Sequence, residues 1–485
     1  MKRITTGILL LALILGTFSC GSEPSGTNET TASDTDAAEE TTSGSGLPKL
    51  DYNGDTVTIL VEDYGGYCGV DFYVEESNGD IVNDAVYNRN QSVEQSLNVN
   101  LEWVGITHAW DDREDFLTKF RSSVLAGDGA YEIAAGLGYF MPSFVSDGLL
   151  SDMSTLPYIN LQQPWWSKNF SDNSAVDGRY YFATGDISLG LIKNMFCIFE
   201  NLELAETLGV ENLYDVVRDG NWTLDKMIKI SADVYSDLDG DTKVGQGDRF
   251  GLLLNSGNHI TGFIEPFNVN IIEFSGSEPE FVFGNAHNTD VVERLSTMIN
   301  DNDGIFFDTK GEQETAYNSI FRNGNVLLAT GWLMHTDSYR DLTFDYGVLP
   351  YPKYDESQTD YNTTVLTTYS VVTIPVDSKD KERAAAVCEA LAYESWNSVT
   401  PAYFETALKV KYARDNDSSQ MFDIIREGVS FDFGYIYTLA LDGISDQFKN
   451  TVLGGRAWAS TIETIRQAQE EKLSTLVESI RENIE

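Results

Sequence analysis

Basic residues are scarce in this chain: 32 Lys and Arg stand against 76 Asp and Glu, a formal charge of −44 over 485 residues. No long basic run occurs anywhere, which excludes a nucleic-acid or anionic-lipid surface, because such surfaces need clustered Lys and Arg. Histidine is rarer still. His108, His259, His287 and His335 are scattered, without the paired spacing of a zinc site. There is no GxSxG elbow, no P-loop and no GxGxxG after a strand, so catalysis finds no support. Four cysteines without a CxxC pair exclude a disulfide framework. Cys197 and Cys388 lie in apolar segments and read as free core residues.

What is present begins at the N-terminus. Lys2-Arg3, an apolar run from Ile8 to Leu15 too short to span a bilayer, and Ser19-Cys20-Gly21 form an export signal over residues 1–19. Ser19-Cys20-Gly21 resembles the cleavage site of bacterial lipoproteins, although Thr17 and Phe18 depart from it, and implies acylation of Cys20. Gly21 to Leu47 holds six acids, no base and eleven Ser or Thr. That composition cannot bury enough apolar surface to fold, so residues 20–49 read as a flexible, lipid-held tether.

About 435 residues remain, enough for two or three domains. Patterns of period two and period 3.6 alternate along them. Strands are predicted at 55–61, 101–106, 131–137, 180–182, 194–200, 325–329, 344–353 and 370–375. Helices are predicted at 80–99, 110–126, 223–234, 289–300, 313–323, 379–395 and 458–482. Thr223 is a helix cap. The alternation predicts an α/β fold with mostly parallel sheets covered by helices. Thr184 to Gly190 reads as a crossing between lobes, and no linker or repeat divides the rest, so a second domain is interleaved with the first.

Asp237-Leu-Asp239-Gly-Asp241-Thr-Lys243-Val-Gly245-Gln-Gly-Asp248 spaces oxygen ligands as a hard cation requires: carboxylates at positions 1, 3, 5 and 12 and the Lys243 carbonyl at 7. It reads either as a structural Ca2+ loop or as a solvated acidic turn. Aromatic residues meanwhile collect where strands end. Tyr64 and Tyr139 follow the first and third strands, Trp332 the strand ending near Ala329, and Tyr369 precedes the strand at Ser370. Trp165 stands beside Pro164. Flat aromatic faces with nearby carboxylates suit sugar rings, and open sheets bind ligands beyond the carboxyl ends of their strands. For each ring the alternative is packing in a core, the reading given to Trp103, Trp222 and Trp396 outright.

Several segments in order resemble the extracellular solute-binding proteins of ABC importers, the family containing maltose-binding protein. They are Phe199 to Gly209, Asn221 to Met227, Phe321 to Trp332, Asp345 to Pro352 and Thr400 to Phe404. The resemblance implies a two-lobe periplasmic-binding-protein-like fold with interleaved lobes, residues 50–187 plus 367–402 and 188–366 plus 403–485, and a ligand cleft between them. It places Asp186 at the first crossing, where relatives use an acid on sugar hydroxyls, Trp332 where relatives stack a ring, and Tyr139 at a polar contact. It implies a monomer that is not an enzyme, held by lipid on the outer face of the cell membrane, delivering a sugar or oligosaccharide to a membrane permease. A binder of another solute, an adhesin, or a polysaccharide-degrading surface enzyme are the alternatives.

Overall fold

The computed structural model describes residues 44–65, 69, 71–254, 257–307, 320–412 and 416–482. Cys20, the export signal, most of the tether and Cys68 lie outside the described residues. The strands are β1 (Asp55–Tyr64), β2 (Val99–His108), β3 (Ile133–Leu137), β4 (Phe196–Asn201), β5 (Phe250–Leu254), β6 (Ile272–Ser275), β7 (Glu278–Phe281), β8 (Ile305–Phe307), β9 (Val326–Trp332), β10 (Tyr346–Leu349) and β11 (Ser370–Thr373). They form one sheet in the order β11-β3-β1-β2, a second in the order β10-β4-β9-β5-β8, and the hairpin β6-β7.

In the first sheet β1 pairs in parallel with β2, from Asp55 beside Val99 to Tyr64 beside His108, and with β3 at Ile59 beside Ile133. Val57, Ile59, Leu60 and Val61 are all buried, as a strand covered on both faces must be. The intervening helices follow ordinary start and stop chemistry. Asp80 accepts hydrogen bonds from the Val82 and Asn83 N–H groups at the head of Ile81–Leu97, and Gly127 closes Glu114–Ala126 at φ 63°. Helix Glu114–Ala126 starts later than its periodicity predicts because Trp110–Asp112 forms a separate 3-10 turn.

The sheets are mixed rather than mostly parallel. β11 runs antiparallel to β3, and β4 runs antiparallel to both β9 and β10. In each sheet the reversed strand is one adjoining a crossing, so the chain enters against the direction of its neighbours. The predicted strand at 180–182 does not form; those residues lie between isolated bridges, Val176 to Arg179 and Ala183 to Val372. At the crossings, the Thr184 hydroxyl donates to the Ser370 carbonyl at 2.7 Å and the Leu366 N–H to the Asn194 carbonyl at 3.0 Å. The third passage follows helix Lys381–Glu394 into wide π turns at Ser395–Val399 and Pro401–Tyr412, where the proline supplies no N–H.

Helix Trp458–Glu482 has the bounds its periodicity predicts. Its first indole donates to the Phe283 carbonyl at 3.2 Å, and near its other end the Ile480 carbonyl accepts from the Tyr181 hydroxyl at 2.9 Å. Packing begins earlier than the tether boundary at 49, since Leu47 is buried in the core beside the first sheet. Cys197 and Cys388 are buried and unpaired, as their apolar settings predict. No helix among the described residues is long and apolar enough to cross a membrane.

Candidate ligand cleft

Three parallel strands, β3, β1 and β2, end at one edge of the first sheet, and their terminal residues build an aromatic platform. Buried Glu62 lies beneath it. Its Oε1 meets His108 Nε2 at 2.8 Å, and its Oε2 accepts the Leu137 N–H at 2.7 Å. Because Tyr64 and His108 are register partners, the Tyr64 ring lies on the imidazole with centroids 5.6 Å apart and planes 28° apart. Trp110, 41 % exposed, closes the group at 6.1 Å from Tyr64 and 5.6 Å from Tyr139. The Arg113 guanidinium lies over Trp110 at 5.3 Å.

The turn carrying Tyr139 is tied to the segment Thr367 to Tyr369, by which the chain returns from the second sheet to β11. The Gly138 N–H donates to the Tyr369 carbonyl at 2.8 Å and the Tyr139 N–H to the Thr367 carbonyl at 3.0 Å. Residue 138 must be glycine because a Cβ there would meet the Tyr369 ring at 2.7 Å. Burial raises the Tyr139 phenol pKa, helped by the carboxylate of Asp446. Asp446 belongs to helix Ile444–Gly454, which packs on helices Asn258–Thr261 and Ala286–Asp301, so its charge reaches Tyr139 from elements outside the first sheet.

Trp332 ends β9 inside a cage of Phe196, His259 and His335, with centroids at 5.7, 4.6 and 5.0 Å. It is 7 % exposed, and its indole N–H finds no hydrogen-bond partner among the described residues. Burial pushes His259 well below the ordinary imidazole pKa and His335 down to about 3, because a buried ring disfavours its charged form. Asp186, at the first crossing, lies 3.2 Å from Arg426, whose guanidinium also covers the Phe404 ring at 4.8 Å. Burial raises the Asp186 pKa, opposed by the nearby Thr400 hydroxyl and by the Arg426 charge. The acid predicted to meet ligand hydroxyls is thus engaged with a cation.

The structure brings Tyr64 and Tyr139 together around Trp110 and sets Asp186 and Trp332 in separate clusters. Two predicted contacts are corrected. Trp165 is 3 % exposed and its indole donates to Glu389 at 3.1 Å, beside Trp166 at 2.8 Å, so it belongs to the core beside the first sheet. Tyr369 is wholly buried beneath Gly138, edge-on to Phe170 at 5.9 Å, and supports the Tyr139 turn from below. Trp222 is core, its indole donating to the Pro350 carbonyl at 2.9 Å, whereas Trp396 is 39 % exposed. Sequence reasoning missed Glu62, His108 and Trp110. The rule that ligands lie beyond strand ends, applied to β2 as it was to its neighbours, selects His108 and Trp110.

In the acidic loop, carboxylate oxygens of Asp237, Asp239 and Asp248 all lie within 4.8 Å of one another. Asp241 falls outside that trio and accepts the Lys243 N–H at 2.7 Å. Thr242 takes the left-handed φ of 63° at the sharp turn. A Cβ on Gly247 would strike Asp239 Oδ2 at 2.4 Å.

No family model matches the sequence, and no curated protein does. Solved structures do: the chain has the two-lobe α/β fold of ABC solute-binding proteins, which are binding proteins rather than enzymes. It is similar to the substrate-binding protein Lmo0181 of Listeria monocytogenes, solved with cycloalternan, at 14 % identity and TM-score 0.56, over 87 % of this chain and 99 % of that one. It is similar to UspC of M. tuberculosis at 14 % identity and TM-score 0.56, over 87 % and 100 %. The GacH receptor of Streptomyces glaucescens, solved unliganded and with acarbose, matches at 13 % identity and TM-score 0.55, over 87 % and 99 %.

Proposed function

We propose that this protein is the substrate-binding component of an ABC importer and captures a sugar or oligosaccharide between its lobes. The observation that carries the reading is the platform of Tyr64, Trp110 and Tyr139 at the ends of three parallel strands. The exposed indole and the half-buried phenol rings there offer faces to the apolar side of a pyranose, with hydroxyls left for hydrogen bonds. Fold relatives solved with cycloalternan and acarbose support the same ligand class. Lobe one comprises 50–187 plus 367–402 and lobe two 188–366 plus 403–485. Ligand shifts an open–closed equilibrium through its differential affinity, and the closed form docks on a permease while Cys20 acyl chains hold the protein at the membrane.

In the same reading, Asp237, Asp239 and Asp248, with the Lys243 carbonyl, hold a Ca2+ ion that stiffens the loop before β5. Asp241 contributes by fixing the backbone at Lys243.

Calorimetry of the purified protein against neutral oligosaccharides tests the sugar assignment. One or more bind, and Trp110→Ala weakens that binding at least about tenfold, near 1.4 kcal/mol. A folded protein that binds none of them removes the assignment.

A further inference from the structure

Glu62 and His108 have fully buried side chains directly beneath the platform. Both imidazole nitrogens face oxygens that only accept: Nε2 the Glu62 carboxylate at 2.8 Å and Nδ1 the Ala109 carbonyl at 2.9 Å. A neutral imidazole has one donor, so with Glu62 present as a carboxylate only the doubly protonated ring donates to both oxygens. Other charges facing this region act in two directions. The Glu62 hydrogen bond outweighs burial and, with the Ala109 carbonyl and then Asp115 of helix Glu114–Ala126, raises the His108 pKa above the ordinary imidazole value. Arg113 lies over Trp110, and Asp446 acts on Tyr139 from helix Ile444–Gly454.

One carboxylate therefore sets both flanks of Trp110. Through His108 it supports the Tyr64 ring, and through the Leu137 N–H it fixes the chain just before Gly138 and Tyr139. Loss of the proton turns one nitrogen lone pair toward an oxygen at hydrogen-bond distance, and the ring must tilt or flip to relieve the repulsion. We propose that the Glu62–His108 pair positions the Tyr64–Trp110–Tyr139 platform, so that carbohydrate affinity falls when His108 loses its proton. The ligand half of this proposal rests on the sugar reading; the positioning half does not.

Fluorine NMR of the mature protein carrying 5-fluorotryptophan, with the Trp110 signal assigned by its loss in Trp110→Phe, separates the two. Between about pH 5 and pH 9 the Trp110 signal shifts with one inflection above the ordinary imidazole value of about 6.5. The inflection moves down in Glu62→Gln and disappears in His108→Gln. Calorimetry with maltotetraose then shows affinity at least about threefold weaker at pH 9 than at pH 6, with the difference abolished in His108→Gln. A wild-type Trp110 signal that does not titrate, or one that titrates unchanged in His108→Gln, overturns the proposal. If Trp110 titrates as stated but maltotetraose binds at neither pH, the positioning role stands and the assignment of this sugar class falls.

Discussion

Replacing Glu265 by Gln should flatten the dependence of stability on pH. Glu265 is 9 % exposed beside residues 430–432, accepting the Asp432 N–H at 2.9 Å and the Ser430 hydroxyl at 3.0 Å. Burial, and then the neighbouring Asp432 charge, push its pKa up to about 8, while Asp432 is itself raised to about 7. Between an ordinary carboxyl value and about 8 the folded chain keeps a proton that the unfolded chain releases, so stability falls as pH rises through that window. The full effect for Glu265 is on the order of 5 kcal/mol, with a slope no steeper than about 1.4 kcal/mol per pH unit. Gln keeps the shape and the accepting oxygen but cannot ionise. Urea denaturation from about pH 5 to pH 9 should show wild type losing stability with rising pH and Glu265→Gln losing markedly less. Parallel curves would refute the argument, because they would mean that Glu265 ionises in the fold as it does in the unfolded chain.

Trp332→Ala should lower unfolding free energy by roughly 3–5 kcal/mol, since the ring is caged by Phe196, His259 and His335; a loss below about 1 kcal/mol in urea would show that the cage is loose. Added Ca2+ should raise the melting temperature of wild type, by about 2.7 kcal/mol of stabilisation when free ion stands near 100 times its dissociation constant, and the double change Asp237→Asn with Asp248→Asn should abolish the rise. An equal rise in the variant would place the ion elsewhere.

Much of the first lobe was legible because its signals are local. The run Val57 to Val61 marks a strand buried on both faces, and Asp80 marks a helix start. Strand direction was less legible, since β4 lies antiparallel to β9 only because of the route by which the chain crosses between sheets. Trp165 misled for a related reason. A Pro-Trp-Trp turn suits a ligand platform and a core equally well, and Glu389, which fixes its indole, lies 224 residues away. Trp110 was obscured by its own neighbourhood, where a helical period continues back through the 3-10 turn and conceals a strand-end position.

The same distance in sequence explains why Tyr369 reads as a ligand residue and acts as a support. Its carbonyl accepts the Gly138 N–H, and two residues earlier Thr367 accepts the Tyr139 N–H. Leu137, preceding both, donates to Glu62 on β1. Three consecutive amides therefore fasten one turn to two unlike anchors, a crossing between the lobes and a buried carboxylate in the sheet. Rotation of the crossing at Thr367 to Tyr369 must either carry Tyr139 with it or break two hydrogen bonds, each contributing about 1 kcal/mol. Carrying the ring is the cheaper outcome, so the geometry of the platform depends on the backbone at Thr367 to Tyr369 as well as on β1, β2 and β3.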